Sequence, residues 1–253
     1  GSSRGLGDVY KRQAVILPND NLGYNGSHSK SVDLYPPWDI WHGGHFMEAD
    51  RKSNILWEYE DPYAHHDAQW LNDGLLYVAA ADYKDGRYSD IVRIVDRQGN
   101  VKWEWCAWKK LSEKNWPVHE GMPDNHWPMI NGIHLHDNIV YMSLRNTSGI
   151  IGVHIDSKDV VWSVKWPDVA QQHCPVVTDK GTLIAFCNGN IRPPGVHHSR
   201  IVEFDLASKE CVWSYVDNMP PSFFSPYMGS VQRLWNGNTS VSYTHLTLPT
   251  NSS

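Results

Sequence analysis

Four segments of this chain repeat one pattern: an apolar strand, an aspartate, a short polar turn, then a strand carrying tryptophan. They are HFMEADRKSNILWEY, IVRIVDRQGNVKWEW, IIGVHIDSKDVVWSV and IVEFDLASKECVWSY. The acids are Asp50, Asp96, Asp156 and Asp205, and the tryptophans are Trp57, Trp103, Trp162 and Trp213. Each segment reads as a β-hairpin, with Asp opening a turn that holds Gly, Ser or Asn. Other hairpins alternate with these: HHDAQWLNDGLLYVAA, MINGIHLHDNIVYMSLR, CPVVTDKGTLIAFC and SVQRLWNGNTS. The alternation gives four strands per unit at a period of roughly 45–60 residues, the pattern of a β-propeller. The expected fold is therefore all-β, a propeller of four-stranded blades, incomplete, with about four blades represented. On this reading the tryptophans pack blade against blade and are not a row of ligand-stacking sites.

Both ends read differently from the repeats. SRGLGDVYKRQ at the start and VSYTHLTLPT near the end look like in-frame translations of a DNA-library adapter and its reverse complement. Residues 1–13 and 240–253 are accordingly expected to be adapter-derived, and 14–239 to be a partial propeller from within a longer protein. That explains why too few blades are present to close a ring.

Composition narrows the function. Twenty-two Lys and Arg against 28 Asp and Glu give a net charge of −6, which offers no support for a nucleic-acid partner. No apolar run is long enough to span a membrane. The four cysteines form no CxxC pair and do not suggest structural zinc. Cys174 and Cys187 flank a hairpin and could face each other in an oxidising compartment, so a disulfide between them is left open. No metal or cofactor is expected.

The chemistry is expected where loops enter the inner strands, because those positions lie far apart in sequence but converge around a propeller axis. They are His65-His66-Asp67, Met129-Ile130-Asn131 and Gln172-His173-Cys174. His66 and His173 stand out from the other histidines as occupying equivalent places in the repeat. Asp67 either orients His66 or caps the start of its strand. Arg145, and with less force Arg192 and Arg200, add cations at the far ends of the second inner strands. Imidazoles with guanidinium suit an oxyanion, which Arg can grip bidentately while His acts as nucleophile, acid or donor. His28, His45, His197 and His198 read as turn or surface residues.

Several stretches resemble the PAPS-independent aryl sulfotransferases, six-bladed propellers of the bacterial periplasm. NDGLLYVAAADY with DIVRIVDRQGNVKWEW is similar to one blade, and MINGIHLHDNIVYMSLRNTSGIIGVHID to the next. QQH followed by TLIAFCNGN, then HSRIVEFDLASKECVWSYV and FFSPYMGSVQRL, resembles the blade bearing the catalytic histidine. The resemblance implies sulfuryl transfer from an aryl sulfate to a phenol through a sulfohistidine, in the periplasm or outside the cell, without a cofactor. His173 matches the nucleophile, His66 a sulfate-side histidine and Arg145 the arginine that stabilises charge on the equatorial oxygens. Asn131, Met129, Arg200 and His126 are the expected substrate-binding residues. Met129 departs from the family, standing where another catalytic histidine belongs; His126, three residues earlier, is a candidate replacement. Two other readings remain open: a non-catalytic propeller binding an anionic or aromatic ligand or a protein partner, and a quinoprotein-like propeller. A homo-oligomer is left open as well.

Overall fold

The structure is a computed structural model and describes residues 14–30, 43–191 and 197–243. It contains four four-stranded antiparallel sheets and one two-stranded sheet, each built from consecutive strands. The first sheet runs β1 (Ala14–Ile16), β2 (Leu22–Ser27), β3 (Gly44–Ala49) and β4 (Ile55–Glu60). The second runs β5 (Ala64–Leu71), β6 (Gly74–Asp82), β7 (Tyr88–Asp96) and β8 (Val101–Cys106). The third is β9 (Ile130–His136), β10 (Ile139–Leu144), β11 (Gly149–His154) and β12 (Val160–Lys165). The fourth is β13 (Gln172–Val177), β14 (Thr182–Cys187), β15 (Arg200–Asp205) and β16 (Cys211–Tyr215), and a hairpin of β17 (Ser230–Arg233) and β18 (Thr239–Ser242) follows. First strands lie beside first strands of the next sheet, β5 to β9 to β13 to β17. This is an incomplete β-propeller.

The tryptophan repeat is exact in register. Trp57, Trp103, Trp162 and Trp213 face Glu48, Ile94, Gly152 and Glu203 across the outermost strand pair. In all four blades the register shifts one residue further along, so the same bulge turns the indole toward the neighbouring blade. Trp57 Nε1 donates to the Arg97 carbonyl at 2.8 Å, and Trp103 Nε1 to the Ile155 carbonyl at 2.8 Å. Both acceptors lie in the outer turn of the following blade. The tryptophans therefore join blades through packing and one hydrogen bond each in these two cases.

One turn departs from the sequence alignment. Asp50, Asp96 and Asp205 accept from the backbone N–H two residues on, at 2.8, 2.9 and 3.0 Å. In the third blade that position is His154, whose Nδ1 accepts from the Asp156 N–H at 3.2 Å. Asp156 lies inside the turn. An imidazole nitrogen thus does the work of the carboxylate.

The main core lies between the second and third blades, where Leu76, Val92, Trp103, Trp105, Ile130, Val140 and Met142 are buried together. Gly132 permits close approach of the next inner strand: a Cβ there would sit 2.7 Å from Pro175 Cδ. Cys174 and Cys187 are not joined in a disulfide. Cys187 is paired opposite Gln172, while Cys174 Sγ points toward the Val231 carbonyl at 3.7 Å, so the hairpin does not hold a disulfide. The last hairpin includes Val241 and Ser242, from the adapter-like tail, opposite Val231 and Ser230. Val241 and Tyr243 pack against the Phe186–Phe223 cluster. That regular pairing follows from their alternating β-forming side chains.

Candidate active site

Three inner strands, β5, β9 and β13, bulge near their start. β5 accommodates two extra residues between Ala64 and Ala68, β9 one after Ile130, and β13 one between His173 and Val176. Left-handed backbone concentrates there: φ is 53° at His66, 64° at Met129, 48° at Gln171 and 53° at Cys174. Such conformations cost of order 1–3 kcal/mol each for non-glycine residues and cluster at functional sites. The bulges are what aim polar side chains away from the ladder and toward one another.

Register places Ala64, Ile130 and Gln172 at equivalent points, opposite Ala79, Leu144 and Cys187. The structural equivalent of His173 is therefore His65, not His66; Asn131 holds the same place in the blade between. His66 is equivalent to Cys174. The wider bulge of β5 nevertheless brings His66 into the group, within electrostatic reach of His65, His126, His173 and Arg145. Burial, together with those neighbouring cations and imidazoles, holds His66 well below the usual histidine range.

His173 is buried and its Nδ1 lies 2.5 Å from Asn188 Oδ1. The Asn188 amide cannot be turned round, because its Nδ2 donates to the Ser225 and Met228 carbonyls, both at 2.8 Å. Oδ1 must then accept, so the proton of the neutral imidazole sits on Nδ1 and Nε2 carries the lone pair. Burial first, and Arg145 second, push the His173 pKa down to about 4 against the opposing contacts of Asn188 and the Gln171 backbone. A neutral, tautomerically fixed imidazole beside a guanidinium has the chemistry a nucleophile facing an anion would need.

Arg145 is the residue after Leu144 and is repeat-equivalent to Asn188. Its Nη1 donates to Asn146 Oδ1 at 3.0 Å, and Asn146 Nδ2 is itself anchored on the His126 and Pro123 carbonyls. Arg145 Nε is buried without a hydrogen-bond partner among the described residues. Burial lowers the Arg145 pKa, yet a guanidinium remains charged. An unsatisfied buried donor on a charged group is the arrangement an anionic ligand would complete. Met129 is buried with its sulfur 3.9 Å from Arg145 Nη1, a weak contact.

Three expected substrate residues sit elsewhere or are otherwise engaged. Asn131 Nδ2 donates to the Gln172 carbonyl at 2.9 Å and its Oδ1 accepts from Ser143 Oγ at 2.6 Å, so it clasps the third blade to the fourth. Arg200 leaves the inner end altogether, because its Nη2 donates to the Pro167 and Asp168 carbonyls on the flank of the third blade. His126 is fully buried with Nε2 on Asp90 Oδ1 at 2.7 Å. It backs the site and does not stand in for the missing histidine on the ligand side. Asp67 accepts from the Ala68 and Ile133 N–H groups at 2.9 Å each, a cap and a blade-to-blade tie. Arg192 lies outside the described residues.

Two participants were not legible in the sequence. Asn188 follows β14, and Asp90 lies within β7, reached by both His126 and His65 Nε2, the latter at 3.1 Å. His126 arrives because residues 125–127 run beside the start of β7, with Trp127 N–H donating to the Tyr88 carbonyl at 2.9 Å. His65, Asp90 and His126 bring three metal-capable atoms within 4.8 Å of one another. Ligands of one tetrahedral zinc would stand about 3.4 Å apart, given metal–ligand distances near 2.1 Å. The 2.7 Å approach of His126 to Asp90 is a proton-sharing distance instead.

Residues 51–167 match the family model described as Arylsulfotransferase (ASST). Over this stretch the sequence is similar to arylsulfotransferases. The stretch spans His66, Met129 and Arg145 and ends before His173. No curated protein matches the chain. The arylsulfotransferase-like chain is similar in fold to a protein of unknown function from Bacteroides caccae, with TM-score 0.56, 15% identity, and coverage of 87% of this chain and 66% of that one. It is likewise similar to Kuenenia stuttgartiensis hydrazine synthase, with TM-score 0.55, 14% identity, and coverage of 91% and 54%. The chain thus spans two thirds or less of these structures' lengths. At such identities the likeness is one of fold.

Proposed function

We propose that this propeller transfers a sulfuryl group from an aryl sulfate to a phenolic acceptor, with His173 as the nucleophile. The observation that carries the reading is the fixed tautomer of His173, proton on Nδ1 toward Asn188 and lone pair on Nε2, in the field of Arg145. In the first half-reaction His173 Nε2 attacks sulfur, the S–O bond to the aryl group breaks, and the leaving phenolate takes a proton. Arg145 neutralises charge on the sulfuryl oxygens, where a well-placed donor contributes about 2.7–4 kcal/mol to the transition state. In the second half-reaction a phenol oxygen displaces His173 from sulfur. His66, held neutral by its buried setting, can take the acceptor phenol's proton in the second half-reaction, while the phenolate released in the first takes its proton from solvent. Family likeness is what supports a periplasmic or extracellular setting for the reaction, and no helix among the described residues is long and apolar enough to cross a membrane.

A second reading, an anion-binding propeller without turnover, is favoured by one observation: Met129 puts a thioether beside Arg145 where the family has a histidine. Incubating the full-length protein with a chromogenic aryl sulfate, with and without a phenol, separates the two. Sulfuryl transfer predicts phenol-dependent turnover; binding alone predicts saturable protection of the fold by aryl sulfate with no product.

A further inference from the structure

Behind the ligand side of the site runs a buried chain of proton-sharing groups that the transfer reaction as written does not use. Asp90 Oδ2 accepts from the Ile130 N–H at 3.1 Å, which fixes that oxygen as an acceptor and points Oδ1 at the two imidazoles. His126 Nε2 and His65 Nε2 meet Oδ1 at 2.7 and 3.1 Å. On its other edge His65 Nδ1 lies 2.7 Å from His66 Nδ1. The rings of His65 and His66 stand nearly perpendicular, 4.9 Å apart. His65, Asp90 and His126 are all buried, so water does not compete for these protons.

We propose that Asp90 and His65 are positioning residues that fix the tautomer of His66 and so make it the base of the sulfuryl transfer. The inference rests on the transfer reading for its catalytic consequence, but its structural content stands alone. A carboxylate accepts only, so the His65 proton facing it must be on Nε2. His65 Nδ1 is then bare and accepts, which puts the His66 proton on Nδ1 and leaves His66 Nε2 as the base. Burial raises the Asp90 carboxyl, but His126 and His65 outweigh it and keep the group ionised. When the acceptor phenol attacks, its O–H proton moves to His66 Nε2 and its oxygen forms the new S–O bond. The S–N bond to His173 breaks, and its electron pair returns to His173 Nε2. The cation so formed on His66 is shared through His65 toward Asp90. In the first half-reaction the aryl oxygen departs as phenolate and takes its proton from solvent, and solvent likewise receives the proton that His66 holds after the second. The contacts of His65 and His126 to Asp90 Oδ1 are close approaches that do not meet hydrogen-bond angles in this structure, and catalytic contacts of this kind tighten when a ligand fills the site.

Asp90→Asn tests this without changing size. The Ile130 N–H holds the new amide oxygen, so the amide NH2 faces His65 and reverses every proton in the chain: His65 becomes Nδ1–H and His66 becomes Nε2–H. Long-range 1H–15N spectra of histidine-labelled full-length protein read the tautomers directly. The expected result is His66 as Nδ1–H in the parent and Nε2–H in Asp90→Asn, with an unchanged far-ultraviolet spectrum and melting transition. The same His66 tautomer in both proteins would overturn the proposal, as would stoichiometric zinc or iron in the parent, which would make the three residues ligands. Should Asp90→Asn fail to fold, His65→Gln, whose amide can still bridge Asp90 and His66, is the second variant; His66 losing its single tautomer there supports the chain, and no change refutes it. In kinetics, the wrong tautomer predicts a loss of about 10²–10⁴-fold in kcat with little change in KM. Parent protein that shows the tautomer but no phenol-dependent turnover would refute the transfer reading and leave the positioning chain intact.

Discussion

His173 Nδ1 sits 2.5 Å from Asn188 Oδ1, and the Asn188 amide is held in that sense by two carbonyls of the loop before the last hairpin. The tautomer of His173, the proposed nucleophile, is thus set by the chain that leads into the next blade, not by the blade that carries it. Asn188→Ala removes that hydrogen bond. A bond to a group that becomes charged contributes about 1.5–3 kcal/mol, so kcat/KM for the aryl-sulfate donor should fall about ten- to a hundredfold. Steady-state kinetics on the variant check this, with the melting transition as a control for folding.

The depressed pKa of His173 has two consequences for pH. With the folded value near 4 and the unfolded value near 6.5, the unfolded chain takes up a proton in that interval that the folded protein refuses. Stability therefore falls as pH drops from about 6.5 toward about 4, by up to about 1.4 kcal/mol per pH unit from this group, and the lowered His66 acts in the same direction. Denaturant unfolding measured across that interval should show midpoints moving steadily down. The acid limb of kcat/KM should lie near pH 4, since His173 remains a free base above it; a limb near 6.5 would mean that its burial or its Arg145 neighbour is wrongly described.

Met129 is the clearest handle on whether the site is slow or inert. Its sulfur faces Arg145 Nη1 at 3.9 Å and donates no hydrogen bond. Met129→His should raise aryl-sulfate turnover by as much as 10²–10³-fold, the contribution of one donor to developing negative charge. The left-handed backbone at this position, φ 64°, is one that histidine adopts more readily than branched residues, so the change should be tolerated.

Blade packing makes a prediction independent of chemistry. Trp103 is 6% exposed and donates to the next blade, whereas Trp213 is 37% exposed beside the two-stranded hairpin, under Arg233. A cavity of about 590 Å³ opens on that side. Trp103→Ala should cost about 3–5 kcal/mol and Trp213→Ala distinctly less, as measured by chemical denaturation.

The propeller was legible because its repeat is written in turn acids and outer-strand tryptophans, both tied to strand register. Even the Asp156 mismatch had a local cause, His154 taking over the turn. The site was legible only to within a residue. Counting from motifs equates His66 with His173, but the extra bulge residue in β5 shifts the true equivalence to His65, and bulges leave no mark in an alternating pattern. Asp90 and Asn188 were hidden for another reason: they lie on second and third strands with no motif of their own, and only pairing brings them beside the imidazoles. Arg200 was misplaced because a long side chain at a strand start can leave the axis and satisfy carbonyls on the neighbouring flank.

The central claim is that His173 carries the sulfuryl group. The most direct measurement is mass spectrometry of full-length protein treated with an aryl sulfate and no acceptor, digested under alkaline conditions that preserve phosphoramidate-like N–S bonds. The account predicts a gain of one SO3 group on the peptide containing His173, lost on adding a phenol and absent in His173→Ala. Phenol-dependent turnover with no such adduct, or an adduct that persists in His173→Ala, would contradict it.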